Sequence, residues 1–265
     1  MTSNKIVWIN SYPKSGNTWM RVFLANYFFA QGQEIGINDV FRYARMDTDD
    51  NLIDDYRKNT DHKTIATDGY PLTVTQYHDV LRYHLENTGN LLLKSHAPVH
   101  LIHNIPYFPK ELTACFIYIV RHPLDTLISA LNFNFGSRHF QDYDDIDDAT
   151  MNERNQRQIF SFMTNDEERL SGDHLGCFLG SWKNHINSYL NAPYGRVKLV
   201  RYEDLLTNPV ETFSDVVRHI TGQCDLSRVE KSIAASQFSK LQKTEQEQTF
   251  RESSVTNDLP FFRQG

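Results

Sequence analysis

Lys14, Ser15, Asn17 and Thr18 are packed around a single glycine, Gly16, directly after an apolar run. Backbone amides of a small-residue loop and the positive end of a following helix together make an anion site. Lys14 adds a full charge there, and Ser15, Asn17 and Thr18 add side-chain donors. Further on, Lys94 and His96 lie two residues apart, and a histidine so placed can serve as a general base near neutral pH. Arg121 and Ser129, eight residues apart, form a second cation-and-hydroxyl pair. Arginine grips a phosphate through two parallel bonds, whereas lysine acts as a point charge. Two separate anion sites suit a ligand with phosphates at two positions, such as a nucleotide phosphorylated at both 5′ and 3′ oxygens.

These residues need elements to hold them. Ile6, Val7, Trp8 and Ile9 are β-branched or aromatic and suit a buried strand. Trp19, Val22, Phe23, Asn26 and Tyr27 fall at helical spacing, with Asn17 or Thr18 placed to cap the helix. The loop between is not the common G-x-x-x-x-G-K-[ST] pattern, because Lys14 precedes its only glycine. Residues 91–93 form a second short apolar strand whose polar tip carries Lys94 and His96. Residues 113–120 form a third strand, tipped by Arg121, and residues 196–201 a fourth, tipped by Tyr202-Glu203-Asp204-Leu205. Helices are expected over 72–87, from Pro123 with Leu124, Leu127, Ile128 and Leu131 as its apolar stripe, over 152–170, 174–191, 209–221 and 226–235. Strand tips at one carboxyl edge are where parallel α/β sheets bind ligands. The fold class expected is α/β: one domain over residues 1–265, with a mostly parallel central sheet flanked by helices and a P-loop-like phosphate-binding loop after the first strand.

Other readings remain for individual residues. Arg121 could pair with Asp125 instead of an anion. If Pro98 begins a helix, His96, His100 and His103 share one face, but no cysteine or carboxylate stands at a metal-binding spacing. Residues 32–70 read as loops and helical pieces at the rim of a site, with Asp47, Asp49, Asp50, Asp54 and Asp55 forming a solvated face. Residues 136–150 have the length of a lid.

Composition narrows the class. The chain has 265 residues, 40% hydrophobic and 23% charged, which is globular, and a net charge of −6 argues against general nucleic-acid binding. Cys115, Cys177 and Cys224 are odd in number and far apart, as in a reduced, cytoplasmic protein. There is no signal-peptide pattern and no apolar run long enough to span a membrane.

Tyr12-Pro13-Lys14-Ser15-Gly16-Asn17-Thr18-Trp19 resembles the 5′-phosphosulfate loop of the sulfotransferases that use 3′-phosphoadenosine 5′-phosphosulfate (PAPS), the soluble cytosolic type and its bacterial relatives. Threonine is common there at the position of Asn17. Arg121 and Ser129 match the family's 3′-phosphate pair, and Lys94-Ser95-His96-Ala97-Pro98 its lysine and catalytic histidine. Tyr202 matches a tyrosine that contacts the nucleotide, and Ser236 and Phe238 an adenine-side pair. The family's Arg-Lys-Gly element stands here as Arg263-Gln264-Gly265, without the Gly- and Trp-containing segment that usually follows, so either the C-terminal part of the cofactor site is incomplete or this member closes its 3′-phosphate site differently.

The resemblance implies in-line transfer of a sulfuryl group from PAPS to a hydroxyl or amine of a small-molecule or glycan acceptor, releasing 3′,5′-adenosine bisphosphate (PAP). His96 is then the general base, Lys14 faces the leaving oxygen, Lys94 and Thr18 hold the sulfuryl oxygens, and Ser129 restrains Lys14 until acceptor binds. No metal is required, and a homodimer is left open. Phe133 aligns with an acceptor-pocket position, with Phe135, His139 and Tyr143 nearby, although these side chains could equally be core. Two other classes stay in view. A nucleotide-dependent phosphotransferase would call for a Gly-Lys-[Ser/Thr] loop, which is absent. A non-catalytic nucleotide-binding module would be expected to lose the base, yet His96 and Lys14 are both present.

Overall fold

The computed structural model describes residues 5–60, 72–89, 91–132, 153, 156–157, 160–161, 163–167, 179–248, 250, 252 and 261–262. Strand β1 (Ile6–Ser11) is its centre, and every residue of it is buried. β2 (Ala44–Met46), β3 (Leu91–Ser95), β6 (Thr113–Val120) and β7 (Arg196–Arg201) complete a five-stranded sheet in the order β2-β3-β1-β6-β7. Every pairing in it is parallel. The carboxyl ends of β1, β3 and β6 therefore emerge at one edge. Asn10 lies beside Ser95 on one side and Tyr118 on the other, which brings the three predicted strand tips together.

The two faces of the sheet follow from the two-residue period of a strand. Val7 and Ile9 of β1 and Cys115, Ile117 and Ile119 of β6 point into one core layer with α1 (Asn17–Phe29) and α7 (Pro209–Thr221). There Phe23 stacks on Phe213 at 3.9 Å between ring centroids. Ile6 and Trp8 point the other way, toward Phe116, Tyr118 and the buried face of α3 (Val74–Thr88), where Tyr77, Val80, Leu81 and Leu85 lie. Trp8 reaches Thr113 Oγ1 at 3.0 Å, so its indole N–H is satisfied inside that layer. Each such buried apolar side chain contributes about 1.5–3 kcal/mol, so the frame carrying the strand tips is rigid.

Local signals start and stop the helices. Thr73 and Gln76 form a capping box at α3. Ser181 caps α5 (Trp182–Leu190), and Asp225 caps α8 (Leu226–Ala235). Pro209 opens α7, and Gly222, at φ 82°, closes it. α6 (Tyr202–Thr207) begins at the tip of β7 itself.

Several expectations need correction. β2 and α9 (Phe238–Glu247) are additional elements, the first inside the stretch read as rim and the second beyond the last expected helix at 226–235. Asp47 is not on a solvated face. It is buried and accepts bonds from the Tyr77 and Tyr107 hydroxyls at 3.1 and 3.0 Å. Asp49 instead caps α2 (Asp50–Asn59). Pro98 starts no helix: β4 (Leu101–Ile102) and β5 (Ile105–Pro106) make a hairpin, with His103 and Asn104 at positive φ in its two-residue turn. His96, His100 and His103 therefore share no helical face. On α4 (Pro123–Asn132) it is Thr126 and Ala130 that are buried, while Leu124 and Ile128 are 60% and 55% exposed. Within the helix expected over 174–191, residues 179–181 are not helical and α5 begins at Trp182, while 174–178 and the expected lid at 136–150 lie outside the described residues; of the helix expected over 152–170, the described residues from 153 to 164 are helical. Cys115 and Cys224 are free thiols, as expected, and Cys177 lies outside the described residues.

Candidate active site

The loop between β1 and α1 is shaped by two residues in the left-handed region, Lys14 at φ 68° and Gly16 at φ 98°. Gly16 is required twice over. Its φ favours glycine, and a Cβ there would lie 2.5 Å from Tyr202 Cδ2. Gly16→Ala is therefore expected to push the Tyr202 ring away, with a stability loss of roughly 1–3 kcal/mol, read from denaturant melts. An unchanged melt would show that the ring yields freely.

α1 starts at Asn17 with Gly16 at its cap position and no side-chain cap, against the expectation that Asn17 or Thr18 would supply one. The Asn17 amide turns back and donates to the Ile9 carbonyl at 2.9 Å, pinning the loop to β1. Thr18 is used differently, through its hydroxyl, which donates to Glu252 Oε2 at 2.9 Å. Ser15 is fully buried, and its hydroxyl has no hydrogen-bond partner among the described residues. A buried orphan hydroxyl at the mouth of a helix calls for a ligand oxygen.

Arg121 is held beside this loop. Its Nη1 donates to the Lys14 carbonyl at 3.4 Å, and its guanidinium lies 4.4 Å from the centre of the Tyr202 ring. Its Nε is buried without a hydrogen-bond partner among the described residues. Ser129 is half-buried on α4. Trp19 is core, packed edge-on to Tyr202, Phe213 and Phe238. Ser236 is fully buried and donates to the Ser232 carbonyl at 2.8 Å, ending α8, and Phe238 opens α9. Phe133, Phe135, His139, Tyr143, Arg263, Gln264 and Gly265 lie outside the described residues.

His96 is fixed against the loop. Its Nδ1 lies 2.8 Å from the Ser11 carbonyl. A carbonyl only accepts, so Nδ1 carries the hydrogen and Nε2 keeps its lone pair in the neutral ring. Burial, with Lys94 adding to it, lowers the imidazole pKa to about 3, so the ring is neutral at physiological pH. Behind it is a second histidine that the sequence reading passed over. His185 Nε2 lies 2.9 Å from the His96 carbonyl, and its Nδ1 2.8 Å from the Tyr118 hydroxyl. By the same logic His185 donates to His96 and accepts from Tyr118. The Tyr118 hydroxyl also bonds to the backbone of Tyr12 in the anion loop. The histidine segment and the anion loop are thus clamped to one buried network.

The charges of the site are tightly balanced. Burial lowers the Lys14 ammonium pKa to about 7, Glu252 opposes the shift, and Lys94 and Arg121 add to it. Lys14 Nζ sits 3.7 Å from the centre of the Phe261 ring. Lys94 and Arg21 both bond to Glu252 Oε1, at 3.1 and 2.7 Å. Burial alone would raise the Glu252 carboxyl pKa, but Lys94 and Arg21 hold it well below the usual carboxylate range. Among the described residues no group of histidines, cysteines and carboxylates is arranged to hold a metal ion, and no helix is long and apolar enough to cross a membrane.

This geometry agrees with what the chain is similar to. Residues 4–265 match the family described as the sulfotransferase domain. The chain belongs to the sulfotransferase family. Among solved structures it resembles mouse sulfotransferase SULT7A1 complexed with PAP, at 16% identity and a TM-score of 0.50, covering 89% of this chain and 65% of that one. It also resembles retinol dehydratase with androsterone and the inactive cofactor PAP, at 14% identity and a TM-score of 0.57, over 98% of this chain and 73% of that one. The chain thus spans slightly under two thirds of the mouse protein's length, and the structural likeness establishes a shared sulfotransferase fold.

Proposed function

We propose that this sulfotransferase moves the sulfuryl group of PAPS in line onto a hydroxyl or amine of a small-molecule acceptor, with His96 as general base and PAP as product. The observation that carries the reading is the fixed tautomer of His96, whose Nε2 lone pair stands at the sheet edge where Lys14, Lys94 and Arg121 also emerge. The residues present fit the donor. The unpartnered Ser15 hydroxyl and Arg121 Nε each suit a phosphate oxygen, and Gly16 leaves Tyr202 free to lie against the loop.

The donor supplies a sulfuryl group on a good leaving phosphate, and transfer then depends on positioning and charge. Lys14 and the loop amides orient the 5′ end, and Lys14 faces the oxygen on which charge develops. Lys94 holds the sulfuryl oxygens, while the Thr18 hydroxyl, expected to join it, is instead engaged by Glu252. Arg121, with Ser129, binds the 3′-phosphate. His96 Nε2 takes the acceptor proton. The PAP seen in the related structures supports this choice of donor.

The direct test is a screen of acceptors with labelled PAPS, beside thermal shift with PAP against ATP-magnesium. Stabilisation by ATP-magnesium alone would overturn the choice of donor. Arg121→Ala should weaken PAP binding by about ten- to a hundredfold, the loss of a charged hydrogen bond of roughly 1.5–3 kcal/mol. Unchanged affinity by calorimetry would remove Arg121 from the 3′-phosphate site.

A further inference from the structure

Arg21 is an arginine inside a protein core. It lies one turn into α1 and is 0% exposed, with Nε donating to the Ala44 carbonyl at 3.0 Å and Nη1 to Glu252 Oε1 at 2.7 Å. The same carboxylate accepts from Lys94 Nζ on Oε1 and from Thr18 Oγ1 on Oε2. One side chain from the C-terminal region thus ties together the buried arginine, the lysine at the tip of β3 and the first turn of α1.

A carboxylate beside an anion-binding loop has two possible uses. It can stand in for the ligand and leave when the ligand arrives, or it can stay as a counter-ion. Arg21 decides between them. A guanidinium with no access to water cannot lose its partner cheaply, because an uncompensated buried charge is strongly destabilising. The carboxylate therefore stays, and its other two bonds persist with the donor bound.

We infer that Glu252 is a positioning residue for sulfuryl transfer: anchored by Arg21, its carboxylate holds Lys94 Nζ from behind so that the remaining ammonium hydrogens face the sulfuryl oxygens, ties the first turn of α1 in place through the Thr18 hydroxyl, and keeps Lys94 charged. The inference rests on the sulfotransferase reading for the identity of the group that Lys94 faces. The ionisation half stands on its own. Burial and Arg21 from α1 press Lys94 toward its neutral form, while Glu252 and Asp47 oppose them. Lys14 and His96 also interact with Lys94, and neither supplies negative charge. Asp47 is already engaged by two tyrosine hydroxyls, which leaves Glu252 as the chief support of the Lys94 ammonium.

The experiment compares wild type, Glu252→Gln and Glu252→Asp as full chains. Trace acetylation with acetic anhydride, followed by peptide mass spectrometry across pH, reads the fraction of Lys94 that is neutral. Glu252→Gln should raise Lys94 labelling at a fixed pH by roughly tenfold or more, and Glu252→Asp should restore the wild-type curve. In parallel, kcat for transfer from PAPS should fall roughly tenfold in Glu252→Gln and decline as pH rises through the lowered Lys94 pKa, while PAP affinity changes less. If Glu252→Gln fails to fold, Arg21→Met combined with Glu252→Gln removes the buried charge together with its partner, and the labelling shift should persist. Coincident curves for wild type and either Gln-bearing variant, or equal behaviour of the Gln and Asp variants, would overturn the inference. A wild type inactive with PAPS would instead remove the functional reading and the positioning role, while the labelling curves would still decide the Glu252–Lys94 coupling.

Discussion

His96→Ala is expected to reduce transfer by about 10²–10⁴-fold while PAP binds as before. The loss is this large because the His96 ring is held in one tautomer by the Ser11 carbonyl and, among the described residues, no hydrogen bond engages its Nε2. PAP binding should survive because the loop is pinned independently by Asn17 on the Ile9 carbonyl and by the His185–Tyr118 network. The pH profile adds a sign. With burial and Lys94 holding the imidazole pKa to about 3 in the free enzyme, His96 is already a base at every ordinary assay pH. Wild-type kcat/KM should then show no acid limb near the usual histidine pKa of about 6.5. Near-normal turnover of His96→Ala in an initial-rate assay would remove the general-base assignment, and an acid limb near pH 6.5 would show that His96 is more solvated than the fold implies.

The frame of this site is legible in the sequence because its strands are buried on both faces. A parallel strand with both sides covered reads as a continuous apolar run, as β1 and β6 do, and their polar tips then stand out. β2 has no such signature. Ala44-Arg45-Met46 is an edge strand of three residues, and its place depends on pairing with β3 and on the Asp47 amide reaching the Lys94 carbonyl at 2.9 Å. α9 stays hidden for a related reason: only Leu241 of its ten residues is buried, so it carries almost no apolar stripe. On α4 the helical period is right and the phase is wrong. Four apolar residues suggest one stripe, but the buried residues are Thr126 and Ala130, and two of the four, Leu124 and Ile128, are exposed.

The same contrast divides the chemistry. Lys14, Lys94, His96 and Arg121 are readable because each stands at or just after the end of an apolar strand, and strand ends of a parallel sheet meet at one edge. Glu252 and His185 are unreadable locally, since their partners are distant in the chain. Glu252 bonds to residues 158 and 231 positions away, and His185 to His96 and Tyr118, 89 and 67 positions away. Arg21 alone carried a hint: an arginine set among Trp19, Met20, Val22 and Phe23 must either reach out of the core or find a buried carboxylate.

Lys14→Met should lower kcat by about 10²–10³-fold, the loss expected when one preorganised group facing developing charge is removed. Backbone strain does not confuse this test, because methionine at φ 68° is no more strained than the lysine it replaces. The free protein also makes a second prediction from the same side chain. Burial lowers the Lys14 pKa to about 7, Lys94 and Arg121 add to the shift, and Glu252 opposes it. Above that pH the free site holds a neutral amine, and an anionic ligand restores the charge. Binding must then take up a proton, so PAP affinity should fall as pH rises through 7, by up to about tenfold per pH unit. Below that pH Lys14 is charged in both states and this dependence vanishes. Calorimetry in buffers of different ionisation enthalpy measures the proton uptake directly. It should be present in wild type above pH 7 and absent in Lys14→Met. Equal uptake in both proteins would mean that another group titrates there, and Lys14 would lose its place facing the leaving oxygen.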